Sequence, residues 1–181
     1  MVSCDHLLIT GLPGVGKTTL VRGLASRLAA YNPAGFYTEE IRDPQGTRGG
    51  FRIVTLCGRR LVLSHIDFRA RSRVGRYGVD VAGFERLLTE LDLVQARSRL
   101  FIIDEIGQME CLSRQFIKDV TTLLDGPNIV VATIALKAGG FIRQVKQRPD
   151  CRLITVTREN RDRLLDELAS TLEERLRRQT T

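Results

Sequence analysis

The chain has no tryptophan, only two methionines and two histidines, and aromatic residues fill 6% of its 181 positions. So few flat side chains leave little on which the bases of a single strand could stack. The four cysteines, Cys4, Cys57, Cys111 and Cys151, lie 53, 54 and 40 residues apart. That spacing matches neither zinc ligation nor a redox pair, and His6 and His65 add no cluster. Reduced, mostly packed thiols are expected. Long apolar runs are also missing. The longest, residues 100–103 and 129–134, are strand-sized, whereas a bilayer-spanning helix needs about 20 residues. Residues 1–6 lack the basic and then apolar pattern of a secretory leader. A soluble, cytoplasmic protein with no membrane partner is expected.

Acidic residues are scarce in one place. The chain carries 28 Lys+Arg against 21 Asp+Glu, a net charge of +7. Residues 42–76 hold nine arginines (Arg42, Arg48, Arg52, Arg59, Arg60, Arg69, Arg71, Arg73 and Arg76) but only two acids, Asp43 and Asp67. The remainder has 19 basic and 19 acidic residues and is neutral. A protein that coats nucleic acid with its whole surface is thereby excluded. Because 24 of the 28 basic residues are arginine, a single arginine says little by itself.

Hydrophobic content of 43% and charged content of 27% are ordinary for a globular chain. One domain over residues 1–181 is expected. Short apolar runs alternate with helical periodicity. Strands are expected at 7–9, 35–41, 100–103, 129–134 and 153–156. Helices are expected after residue 16, at 80–96, around 116–124, at 140–147 and at 159–178. This alternation argues for an α/β fold with a mainly parallel sheet flanked by helices. Residues 51–56 and 60–64 read instead as an antiparallel β-hairpin insertion around 50–65, at an edge of the sheet or extending from it.

Gly11-Leu12-Pro13-Gly14-Val15-Gly16-Lys17-Thr18 matches G-x-x-x-x-G-K-[ST] in full. A buried strand precedes it and a helix follows. The glycines let successive N–H groups turn inward as an anion nest, and the helix start adds its positive dipole end. Lys17 supplies a point charge for the β- and γ-phosphates, and Thr18 a hydroxyl for Mg²⁺. The strand at 100–103 ends in Asp104-Glu105. Ligands of parallel sheets sit at the carboxyl ends of strands, so Asp104 is expected to hold the Mg²⁺ with Thr18. Glu105, one residue on, is placed to orient the attacking water or accept its proton. Lys17 and Glu105 are therefore the catalytic candidates. The Asn-Lys-x-Asp reader of guanine is absent after both late strands, where Ala135-Leu136-Lys137-Ala138 and Thr157-Arg158-Glu159-Asn160 stand instead.

Further stretches carry a resemblance over nearly the whole chain. They are Gly35-Phe36-Tyr37-Thr38-Glu39-Glu40, Val74-Gly75-Arg76-Tyr77-Gly78-Val79, Ile102-Ile103-Asp104-Glu105-Ile106-Gly107 with Met109-Glu110, Ala132-Thr133-Ile134, and Glu159-Asn160-Arg161-Asp162. With the phosphate loop, they make the chain similar to the small nucleoside-triphosphatases of the thermophile NTPase type, whose relatives include the human cancer-related enzyme. The resemblance implies a P-loop core of RecA/AAA-like type. It implies Mg²⁺-dependent hydrolysis of nucleoside triphosphates to diphosphate and phosphate, with loose base preference. It also implies a second nucleotide segment, Phe101-Ile102-Ile103-Asp104-Glu105-Ile106-Gly107-Gln108. Gln108 stands where members usually carry Lys, and Cys111 where Leu is usual, so no cationic contribution is expected from position 108.

Within the basic segment, Arg48 and Arg76 lie in family-like surroundings and are the candidates for a catalytic arginine. Two other readings stand beside the hydrolase. A nucleoside or nucleotide kinase could use the segment as an arginine-bearing lid. A nucleic-acid-linked nucleotide switch could use it as a basic face, although Phe51, Phe68 and Tyr77 are its only aromatics. The oligomeric state is open, with a monomer favoured.

Overall fold

A computed structural model describes residues 6–137 and 139–178. The expectations for a leader and for the Cys4 thiol lie outside these residues, as do the two ends of the 1–181 range. The strands are β1 (His6–Thr10), β2 (Ala34–Arg42), β3 (Arg48–Thr55), β4 (Arg60–His65), β5 (Arg73–Val74), β6 (Tyr77–Val79), β7 (Leu100–Ile106), β8 (Ile129–Ile134) and β9 (Cys151–Thr155). The helices are α1 (Lys17–Arg27), α2 (Val81–Leu91), α3 (Arg114–Asp125), α4 (Gly140–Lys146) and α5 (Arg161–Arg178). No helix among the described residues is long and apolar enough to cross a membrane.

All nine strands join one sheet, in the order β5-β6-β4-β3-β2-β7-β8-β1-β9. The expectation of a mainly parallel sheet needs correction. The β2–β7, β7–β8, β8–β1 and β1–β9 pairings are parallel, and β2–β3, β3–β4, β4–β6 and β6–β5 are antiparallel. The cause is connection length. A parallel return needs a crossover of a dozen or more residues. β2 and β3 are joined by a tight turn in which Asp43 N–H donates to Thr47 O (2.9 Å), and Asp43 Oδ1 accepts from Thr47 N–H (2.7 Å). The chain can only come back antiparallel.

Strand alternation divides the core between the two faces. Leu8, Phe36, Phe101, Ile103, Val130 and Ala132 face one cluster with α2 and α3, where the rings of Phe36, Phe84 and Phe116 lie 5.5–6.3 Å apart. Leu7, Ile9, Leu100, Ile102, Ile129 and Val131 face α1 and α5. The helix expected over 80–96 is shorter. Asp92, at φ 40, takes a left-handed C-cap that ends α2, and Val94 beyond it is exposed. Cys111 and Cys151 are half-buried, and Cys57 is exposed at the β3–β4 turn, so the thiols are less packed than expected; all three are free.

One glycine permits the junction between the two halves of the sheet. Gly35, at φ 130, presents no side chain to β7, where an added Cβ would stand 1.9 Å from the Ile102 carbonyl oxygen. Backbone cannot yield as a side-chain tip can. Gly35→Ala is therefore expected to cost about 2–4 kcal/mol in chemical denaturation, with a matching fall in melting temperature.

Candidate functional site

The turn leaving β1 is shaped by three glycines at positive φ: Gly11 (152), Gly14 (74) and Gly16 (108). Gly16 caps α1 in the left-handed conformation, and no side chain caps the helix. The first N–H groups of α1 therefore face the concavity of the loop, the arrangement that binds anions. Leu12, Pro13 and Gly14 form the exposed crest, while Val15 is buried beneath it. Lys17 curls over the loop, its Nζ donating to the carbonyls of Gly11 (3.1 Å) and Leu12 (3.2 Å).

Asp104 connects this loop to three other strands. Only 1% exposed, its carboxylate accepts four hydrogen bonds. Oδ2 accepts from Thr18 Oγ1 (2.8 Å), from Thr38 N–H (3.2 Å) and from Thr38 Oγ1 (3.1 Å). Oδ1 accepts from Thr133 Oγ1. The donors come from α1, β2 and β8, and Asp104 itself from β7. Thr18 and Asp104, expected as a pair, are thus in contact. Thr38 and Thr133 were not singled out from sequence, although a lone Thr inside the otherwise apolar β8 was the available signal.

Glu105 and Glu110 form an acid pair beside this hub. Burial pushes the Glu105 carboxyl above the usual carboxylate range and the Asp104 charge adds to the effect, while Lys17 and Lys146 pull it back down. Lys146, on α4, donates to Leu136 O at 2.9 Å. Glu110 is 5% exposed, and burial first, then Glu105, raises its carboxyl to about 8. A Cβ at Gly107 would stand 2.7 Å from both Glu105 Oε1 and Glu110 Oε2, so the bare glycine leaves room for the two acids to face each other. The rest of the expected segment 101–108 has another place. Phe101, Ile102, Ile103 and Ile106 are fully buried in the two cores, where they seat the strand, and Gln108 is exposed.

The arginines engage other partners. Arg48 pairs with Glu40 at 2.6 Å and lies over the Phe51 ring at 5.4 Å. Arg76 Nη2 donates to Arg48 O (2.7 Å) and to the Tyr77 hydroxyl (3.2 Å). Among the described residues, neither hydrogen-bonds to Lys17, Thr18, Asp104 or Glu105. A cavity of about 710 Å³ between the 67–72 turn and the start of α2 shares no residue with the phosphate loop.

A strand, a glycine-rich turn and an uncapped helix, with an acid-tipped strand bonded to the helix threonine, define an α/β protein of the P-loop type. The family described as NTPase matches residues 6–169, and the chain belongs to it. The nucleoside-triphosphatase THEP1 of Thermotoga sp. (strain RQ2) is 42% identical over 167 residues, covering 92% of this chain and 94% of that protein. The crystal structure of THEP1 from the hyperthermophile Aquifex aeolicus superposes with a TM-score of 0.83 at 39% identity, covering 93% of this chain and 99% of that one. The solution structure of a human cancer-related nucleoside triphosphatase gives 0.79 at 35% identity, covering 94% and 98%.

The buried Glu110 has a consequence for stability. Its folded carboxyl, at about 8, holds its proton more tightly than the unfolded carboxyl near 4.5. The folded state therefore binds more protons between those values, and stability falls as pH rises through that window. Glu110→Gln removes this dependence. The variant is expected to be more stable than the parent at pH 8.5, by on the order of a few kcal/mol, with the difference shrinking toward pH 5. Thermal melts across that range measure it.

Proposed function

We propose that the chain is a Mg²⁺-dependent nucleoside-triphosphatase, hydrolysing nucleoside 5'-triphosphates to diphosphate and phosphate with broad base preference. One observation carries this reading: the Asp104 carboxylate lies 2.8 Å from the Thr18 hydroxyl, with Glu105 beside it. The family membership and the names of the relatives support the substrate class. The lack of an Asn-Lys-x-Asp stretch supports the breadth of base preference. The strand order supports a RecA/AAA-like core in one domain, because β8 lies between β1 and β7, the additional strand of the division that uses a catalytic glutamate.

Hydroxyl and carboxylate oxygens side by side are the hard donors that Mg²⁺ takes, and that ion keeps several of its waters. Thr18 and Asp104 fit it, with Thr38 and Thr133 fixing the carboxylate. When bound, the ion would neutralise charge on the β- and γ-oxygens. The remaining work belongs to the chain. The loop amides of residues 11–16 and the start of α1 hold the phosphates. Lys17 exchanges its loop carbonyls for phosphate oxygens. Glu105 accepts the proton of the water that attacks the γ-phosphorus; its raised affinity for protons makes it a better base than an exposed carboxylate. Arg48 and Arg76 remain the candidates for charge compensation, and to serve they must leave Glu40 and the Arg48 carbonyl.

Two measurements test the reading. Glu105→Gln is expected to bind nucleotide as the parent does, with phosphate release about 10²–10⁴-fold slower; turnover at the parent rate would refute the assignment. Chelation of divalent ions is expected to abolish release, and Mg²⁺ to restore it. Thr18→Ala should then need a higher Mg²⁺ concentration for half-maximal rate.

A further inference from the structure

A cation also reaches the phosphate loop from the flank opposite Asp104. A Cβ built on Gly16 would stand 3.5 Å from Cδ and 3.9 Å from Nη1 of Arg161. This side chain therefore lies against the last glycine of the loop, where α1 begins. The connection from β9 to α5 holds it there. Val156 N–H donates to Thr10 O at 2.8 Å, and the Val156 carbonyl oxygen lies 2.6 Å from the Cβ position of Gly11. Asn160 closes the following turn: its Oδ1 accepts from Thr157 N–H (2.8 Å) and its Nδ2 donates to Thr155 O (3.0 Å). Arg161 N–H donates to Thr157 O at 3.2 Å. Backbone and side-chain bonds thus fix the root of Arg161 beside the loop. Its Nε pairs with Asp162 at 3.4 Å, but that carboxylate is 89% exposed, and such a pair holds a guanidinium weakly.

The direction of approach assigns the phosphates it meets. The order β7-β8-β1-β9 puts the acid-tipped strand on one side of the loop strand and the strand leading to Arg161 on the other. Glu105, which takes the proton of the water attacking the γ-phosphorus, stands near the end of β7, which puts the γ end toward that strand. The α end of the chain of phosphates then runs toward β9.

We infer that Arg161, packed against Gly16, is a binding residue for the α- and β-phosphates, the part of the substrate that departs as nucleoside diphosphate. This rests on the nucleoside-triphosphatase reading above. In the hydrolysis, a bond forms between the water oxygen and the γ-phosphorus, and the bond from that phosphorus to the bridging oxygen breaks. The bridging oxygen keeps the electron pair as part of the diphosphate. Arg161 faces that growing negative charge and transfers no proton. A planar fork of N–H donors suits two adjacent phosphate oxygens better than an ammonium does.

The test is calorimetric titration of ADP and of GDP, with Mg²⁺, into the parent, Arg161→Ala, Arg161→Lys and Lys17→Ala. Arg161→Ala is expected to weaken both diphosphates equally, by about tenfold or more, with Arg161→Lys recovering part of the loss. Ligand-free melting temperatures should stay at the parent value. If Arg161→Ala fails to fold, Arg161→Gln, which keeps the apolar stem, takes its place. Parent-like affinity in the arginine variants, together with weak binding by Lys17→Ala, overturns the inference and leaves the phosphate-loop reading standing. A loss for one base only also overturns it, because the side chain would then read the base. A parent protein that binds neither diphosphate sinks the underlying reading itself.

Discussion

The Asp104 carboxylate is the point at which the molecule is tied together. A buried, ionised carboxylate is costly unless its oxygens are satisfied, and here α1, β2 and β8 each contribute donors. The charge repays its desolvation by fixing three elements against the end of β7. Removing any one donor leaves part of a buried charge unsatisfied, so the acid beside the phosphate loop and the closure of the sheet are one network. That coupling explains why Thr133 stands in β8, a strand that is otherwise apolar and fully buried. Its hydroxyl and that of Thr38 both donate to the one acid.

Acidity is concentrated around this point. Asp104, Glu105 and Glu110 occupy a short stretch of chain, and the last two are shifted upward chiefly by burial. A fold optimised for stability alone would not gather them. Cys111, whose thiol burial and the same acids push up to about 12, is correspondingly inert as a nucleophile. The local cost is spread over a large apolar scaffold, with every residue of β1 and β8 buried.

What could be read from the sequence follows from what is local. The phosphate loop is legible because its chemistry needs fixed residue types at fixed spacing in one continuous stretch. The acid-tipped strand is legible because an apolar run stops at two carboxylates. Thr38, Thr133, Glu110, Lys146 and Arg161 reach the site from five separate elements or turns, and no spacing links them. The sheet departs from a mainly parallel arrangement for a similar reason. Apolar strands alternating with helices suggest parallel neighbours, but β2 passes directly into β3 through a turn too short for a crossover. That turn sets the direction of β3, and separate connections reverse the strands beyond it. The arginines show the converse limit: clustering along the chain puts them together without saying what they touch, and Glu39 and Glu40 on β2 hold Arg42, Arg48 and Arg52.

The strand order also fixes a timetable. β1 leads into the phosphate loop and precedes the other strands of the sheet, yet both its neighbours, β8 and β9, lie more than a hundred residues further along the chain. The His6 ring is likewise held by Leu124 O and Val130 N–H, more than a hundred residues away. The antiparallel strands β3 to β6, by contrast, all find their partners within residues 34–79. Pairings so distant close slowly, because the loop entropy must be overcome before the contacts form. On the ribosome, the arginine-rich strands can pair while β1 still waits for β8 and β9, so the strand that leads into the phosphate loop is completed after strands that follow it in the chain.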